Sequence, residues 1–235
     1  MPNPASHAKS ETTSSFKNAA RVQVSFVTAG EKRVLAWFAA RMPAWVGSDH
    51  LTVLGFAGQI MVGVSYALSR DDRRWLLWAI LFLAINWFGD SLDGTVARFR
   101  NRQRPRYGFY VDHVIDAIGS TVLMTGLALS GYMSPLVAMA LLVAFLLLAI
   151  EVYLATYTIG SFHLSFFNLG PTEIRIVLAI GNVALYIRGP WAHIAGHTFL
   201  LFDVGALMAI AGMGTMFLYA SIKHTVQLYR EERLP

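Results

Sequence analysis

The chain has 235 residues, of which 55% are hydrophobic and only 14% charged. A soluble domain of this size needs more polar surface, and several apolar runs approach the ~20 residues that cross a bilayer, so we read an all-α polytopic membrane protein. The absence of cysteine excludes disulfides and thiolate metal sites, and the net charge of +5 fits basic loops against anionic lipid rather than nucleic acid.

Residues 1–30 are polar, rich in Ser, Thr, Ala and Asn, and lack the apolar core of a signal peptide. They are expected to be a disordered cytoplasmic tail. Residues 31–47 read as an amphipathic interfacial helix, with Val34, Leu35, Trp37, Phe38 and Met42 on one side and Lys32, Arg33 and Arg41 on the other. Trp37 and Trp45 suit the headgroup level. A six-helix domain is expected over 48–222, with spans near 49–69, 74–98, 108–130, 134–158, 172–189 and 198–222. Residues 223–235 form a cytoplasmic C-terminal tail. Lys and Arg placement orients the spans. Six fall in the N-terminal tail and first helix, five between Arg98 and Arg106, and three in the C-terminal tail, against Arg70, Arg73, Arg74 and Arg188 on the opposite side. Both termini and the arginine loop are therefore expected in the cytoplasm. The expected location is a bacterial inner membrane. Gly205, Ala209, Gly212 and Gly214 in the sixth span offer close helix packing, within the scaffold or in a homodimer.

The second span is strictly apolar only from Trp75 to Phe88, apart from Asn86. It crosses only if the helix continues through Gly89–Ala97, which puts Asp90 and Asp93 near the cytoplasmic boundary. The third span has the mirrored problem, because Asp112 and Asp116 occupy its first turns. Ionised groups at that depth are costly unless they face water, a cation or each other. Asp90 and Asp93 are three apart and share one helix face; Asp112 and Asp116 are four apart and share another. The helices are joined by a short loop, so we expect antiparallel neighbours with four carboxylates on one pocket.

Four such charges need a counter-charge. With oxygen ligands predominant, the natural partners are Mg²⁺ or Mn²⁺, one or two ions, and an Mg²⁺ shell of this kind is usually completed by water and substrate phosphates. Gly94, Ala97 and Gly108 remove bulk beside the carboxylates, the N-terminus of the third helix offers free N–H groups to an anion, and Arg98 can pair with a phosphate. Asp116, farthest along the third helix, is expected to be the least solvated of the four.

The string Asp90-x2-Asp93-Gly94-x2-Ala97-Arg98, followed by Gly108-x3-Asp112-x3-Asp116, resembles the signature of the CDP-alcohol phosphatidyltransferase family. All eight positions are filled. Nine residues separate Arg98 from Gly108, one more than the family usually has, which bears on the shape of the arginine loop. The resemblance implies transfer of a phospho-alcohol group from a CDP-linked donor, foremost CDP-diacylglycerol, to an acceptor hydroxyl with release of CMP. It implies that Asp90, Asp93 and Asp112 ligate metal, with Asp116 near a second metal or acting as base. It also implies that Gly94, Ala97, Arg98 and Gly108 contact the CDP moiety.

For the acceptor, the fourth and fifth spans return Glu151, Thr172, Glu173 and Arg175 to the same side. A phosphorylated acceptor needs cations, which Arg175 and the loop arginines, Arg106 among them, can supply. The short strings Asp112-His113-x2-Asp116 and Thr172-Glu173 are also similar to the choline/ethanolamine phosphotransferase branch, whose donor is a CDP-amino-alcohol and whose acceptor is diacylglycerol. Glu173 then suits a cationic headgroup. His113 points about 100° away from Asp112 and reads as packing or support rather than as a ligand. Two other classes use similar residues. A membrane prenyltransferase also pairs aspartates with Mg²⁺ and diphosphate, but its motifs lie far apart in the chain and lack the Gly-x2-Ala-Arg element. A cation transporter would show internal repeats or helices broken at the midplane, and neither is visible.

Overall fold

The computed structural model describes residues 28–160, 170–194 and 196–232. The expected N-terminal tail lies almost wholly outside the described residues. Seven helices and one hairpin follow in order: α1 (Thr28–Arg41), α2 (Ser48–Leu68), α3 (Trp75–Phe99), α4 (Pro105–Ser130), α5 (Pro135–Thr158), α6 (Pro171–Arg188), β1 (Trp191–Ile194), β2 (His197–Leu200) and α7 (Leu201–Glu231). Local chemistry sets several of these boundaries. Proline opens α4, α5 and α6, where its missing N–H costs nothing. Gly131, with φ of 76°, ends α4 in the left-handed conformation that only glycine adopts freely.

The chain is an all-α membrane protein. Among the described residues, five helices, α2, α3, α4, α5 and α7, are long and apolar enough to cross a bilayer. The fifth of the six expected spans corresponds to α6, which is shorter, at 18 residues, and carries Glu173, Arg175 and Arg188. Its length of about 27 Å falls just short of a ~30 Å hydrocarbon core. The sixth expected span starts late: residues 197–200 are not helical but pair antiparallel with 191–194, Trp191 opposite Leu200 and Ile194 opposite His197. Gly189 and Pro190 stop α6, and Gly196, with φ of 81°, sits in the turn between the strands. In compensation α7 is 31 residues long and continues past residue 222.

Helix contacts run in a ring. α2 packs on α3 and on α4, α3 on α6, α4 on α5 and α5 on α7; a thin α6–α7 contact closes the circuit. The two aspartate-bearing helices are thus not the close neighbours expected from their short loop, because α2 lies against both. Glycines set this order. A Cβ on Gly89 would stand 2.3 Å from the Gly55 nitrogen, and one on Gly126 would stand 2.0 Å from the Gly63 carbonyl oxygen. The backbone of α2 therefore touches α3 at one point and α4 at another.

The main core joins Val62 and Tyr66 of α2 to Leu76, Ala79 and Leu83 of α3, Leu123 and Leu127 of α4, Leu185 of α6 and Phe202 of α7. It sits at the start of α3 and the end of α4, far from the aspartates. A second, smaller cluster joins Leu35 and Ala39 of α1 to Leu51, Leu92 and Val96. Phe38 and Met42 pack against it, whereas Val34 and Trp37 face outward. The apolar side of the first helix is therefore divided between α3 and the surroundings. Neither cluster includes the first half of α4, whose buried residues begin at Gly119. That half-helix stands away from the core and leaves a cleft beside α3.

Candidate active site

The end of α3 supplies Asp90, Asp93, Gly94, Ala97 and Arg98, and the start of α4 supplies Gly108, Asp112 and Asp116. The four carboxylates line a single cavity, together with Asn86, Ile115 and the α2 residues Thr52, Gly55, Phe56 and Gln59. Its enclosed part is narrow, with room for about one water molecule or one bare ion. Asp90 and Asp116 are exposed, while Asp93 and Asp112 are half-buried. Asp116 is thus not the least solvated of the four; it lies short of the fully buried part of α4, which begins at Gly119, and so faces the open side of the cleft.

Asp93 and Asp90 are each held by hydrogen bonds from neighbouring groups. The Thr52 hydroxyl donates to Asp93 Oδ2 at 2.6 Å, and the Gly94 N–H donates to the other oxygen of the same carboxylate. Arg175 of α6 donates from Nη2 to Asp90 Oδ2 at 2.7 Å and from Nε to Asn86 Oδ1 at 2.7 Å. Asn86 is buried and donates in turn to the Gly55 carbonyl at 2.9 Å. One line of hydrogen bonds therefore connects α2, α3 and α6 at the cavity.

The other expected residues have separate surroundings. Arg98 is exposed and donates to Thr95 Oγ1 at 3.1 Å. A Cβ on Gly108 would meet nothing within 4 Å, and one on Gly94 would meet only the end of Arg98, at 3.2 Å. Neither glycine is needed for packing. His113 is held by the Phe109 carbonyl and lies between the rings of Phe109 and Tyr153, with centroids 4.1 and 4.4 Å away. Glu151 is buried and pairs with His224 of α7 at 2.6 Å. Glu173 accepts the Gly170 N–H at 2.9 Å and so caps α6. Thr172 donates to Glu31 of α1, which also accepts from the Trp87 indole at 2.7 Å. Arg106 is exposed.

Among the described residues, no three His, Cys, Asp or Glu side chains are close enough, as they stand, to hold one ion together. The donor chemistry nonetheless fits a hard cation: four carboxylates and amide and hydroxyl oxygens line a space of ionic size, without a competing sulfur ligand. Sequence reasoning missed Thr52 and Gln59. Their signal was present, since Thr52, Gly55, Phe56 and Gln59 fall at helical spacing on one face of α2, and Thr52 and Gln59 interrupt its otherwise apolar 51–64 stretch.

A helical bundle with several candidate spans defines an integral membrane protein, and its acidic cavity offers oxygen donors of a kind that suits a hard cation. The profile of the family described as CDP-alcohol phosphatidyltransferase matches residues 45–209, well over half of the chain, and the chain belongs to that family. Its members are transferases of phospholipid biosynthesis, generally dependent on divalent metal, that take a CDP-alcohol donor and a hydroxyl acceptor in a membrane. A search of curated proteins gives no match.

Proposed function

We propose that this transferase moves a phosphatidyl group from CDP-diacylglycerol to the hydroxyl of a small polar acceptor and releases CMP. The observation that carries this reading is the shared cavity of Asp90, Asp93, Asp112 and Asp116. Asp90, Asp93 and Asp112 would hold Mg²⁺ or Mn²⁺, with Asp116 beside a second ion or serving as base. When bound, the ion neutralises the diphosphate and stabilises charge building on the leaving CMP.

The chain's own residues do the rest. The bare faces of Gly94 and Gly108, with the small Ala97, leave backbone open to the nucleotide, and exposed Arg98 stands beside them for a phosphate. Asp116, at the open side of the cleft, accepts the proton of the attacking hydroxyl. The new phosphorus–oxygen bond forms to the acceptor as the bond to CMP breaks. Arg175, fixed by Asn86 and set at Asp90, is the best-placed cation for a charged acceptor. Glu173 and Arg106 are assigned to the acceptor end with less support, because Glu173 already caps α6 and Arg106 projects outward.

We place the cleft and both termini on the cytoplasmic side, on the strength of the arginine distribution, and take the membrane to be a bacterial inner membrane. A Cβ added at Gly205 or Gly212 would meet nothing within 4 Å, so the open backbone there supports a homodimer through α7. The test of function is a panel of CDP donors against glycerol-phosphate, inositol-phosphate, serine, inositol and diacylglycerol. CMP formed from CDP-diacylglycerol with a water-soluble acceptor supports the reading. CMP formed only from CDP-choline or CDP-ethanolamine with diacylglycerol replaces it with the amino-alcohol branch.

A further inference from the structure

The segment from the end of α3 through the turn to the start of α4 carries five arginines, Arg98 to Arg106, and two of them, Arg100 and Arg104, reach residues that precede α3 in the chain. Arg100 points its guanidinium at the end of α1 and the linker after it. Its Nη2 donates to the carbonyls of Met42 and Pro43, each at 2.9 Å. Its Nη1 donates to the Val46 carbonyl at 2.5 Å and, more weakly, to Ala44 at 3.4 Å. A cation at this point satisfies backbone carbonyls of the non-helical linker between α1 and α2. Arg104 pairs with Asp49 in the first turn of α2 and lies over the Tyr107 ring at 4.2 Å. Both members of the Arg104–Asp49 pair are 52% exposed, so it contributes little. Half-buried Arg100 is the stronger tie.

The tethered segment leads directly to the site. Thr52 stands one turn after Ser48 and donates to Asp93. The same hydroxyl lies 3.1 Å from the Ser48 carbonyl, a local partner available to it if α2 shifts. Leu51 packs against the Leu92–Val96 face of α3 and fixes the lateral distance between the helices. The Asn86–Gly55 hydrogen bond and the Gly55–Gly89 contact hold α2 from Gly55 onward, so only its start, which carries Thr52, depends on the linker, and a shift of about 1 Å there is enough to break a hydrogen bond of normal length.

We propose that Arg100 is a positioning residue: it straps the α1–α2 linker to the α3–α4 turn and so holds Thr52 on Asp93, with Arg104 as a minor second tie. This rests on the reading of Asp93 as a metal-binding carboxylate of the transferase.

The test compares wild type, Arg100→Gln, Arg100→Lys, Thr52→Val and the Arg100→Gln/Thr52→Val double variant in full-length protein. CMP release is followed as Mg²⁺, donor and acceptor are varied in turn. Arg100→Gln is expected to raise the Mg²⁺ needed for half-maximal rate roughly tenfold, the scale of one hydrogen bond to a charged group, and to leave the acceptor KM unchanged. Arg100→Lys should fall between it and wild type. The double variant should be no worse than Thr52→Val alone, because both changes break one linkage. An unchanged Mg²⁺ requirement in Arg100→Gln, or losses that multiply in the double variant, overturns the proposal. The cysteine-free sequence allows a second readout, spin labels at Trp45→Cys and Arg102→Cys, both exposed positions. Their distance distribution should broaden with Arg100→Gln and, if that variant does not fold, with Arg100→Lys. An unbroadened distribution overturns the strap even if no CDP donor is turned over, whereas a wild-type protein that releases no CMP removes the functional reading alone.

Discussion

Arg175 Nη2 lies 2.7 Å from Asp90 Oδ2, so a cation on α6 is joined to a carboxylate of the signature on α3. The arginine side chain is only 16% exposed, and its Nε is held by buried Asn86. This is a partly desolvated, oriented pair rather than a loose surface contact. Arg175→Ala should lower kcat/KM by roughly 10- to 100-fold, the scale of one charge-assisted hydrogen bond. Arg175→Lys should recover part of that loss, because a point charge cannot reproduce the fork to Asp90 and Asn86. Steady-state kinetics with acceptor varied check both.

The glycines of the signature should behave oppositely to those between helices. Gly108→Ala meets open space and should raise thermal stability slightly, by up to about 1 kcal/mol of helix propensity. The same change should raise the KM for the CDP donor. Gly89→Ala places a methyl group into the backbone of Gly55 and should cost about 3 kcal/mol or more, beyond the usual range for overpacking because backbone must move. Thermal unfolding in detergent, followed by donor titration of folded variants, separates the two effects.

Tyr66 and Asn182 make a buried hydrogen bond at 3.0 Å between α2 and α6, in the part of the bundle remote from the aspartates. Tyr66→Phe leaves the Asn182 amide oxygen without that donor and should destabilise the protein by about 1–3 kcal/mol. Donor and acceptor KM values should not change. A KM shift as large as that of Arg175→Ala would mean that the core and the cleft are coupled.

Asp116→Asn should retain donor binding and lose turnover by roughly 100-fold or more, the contribution of a positioned general base. Equilibrium binding of a CDP-linked donor, measured beside CMP release, checks this. Near-normal CMP release from the variant would remove Asp116 from that role.

Much of this arrangement is legible in the sequence, because it depends on local periodicity. Spacings of three and four put each aspartate pair on one helix face, and the position of the pairs at the end of α3 and the start of α4 follows from the lengths of the apolar runs. What periodicity does not carry is lateral order. Nothing local to α3 or α4 says that α2 packs against both, since that depends on which glycines meet: Gly55 with Gly89, and Gly63 with Gly126. The solvation of Asp116 is misread for the same reason, because depth along a helix says nothing about whether that half of the helix is packed. The arginine turn is ambiguous in the sequence because Arg100 and Arg104 find their partners more than 50 residues away, at Met42–Val46 and Asp49. The hairpin at 191–200 is hidden by apolar composition, which a strand and a membrane helix share.

The central claim is tested most directly by labelled CMP formation from CDP-diacylglycerol, using purified wild type and Asp112→Asn, with Mg²⁺ and after chelation. The account predicts CMP release by wild type that stops on chelation, returns with Mg²⁺ or Mn²⁺, and is abolished in Asp112→Asn. CMP release that survives chelation and the substitution, or cation flux through the wild-type protein with no turnover of any CDP donor, would contradict it.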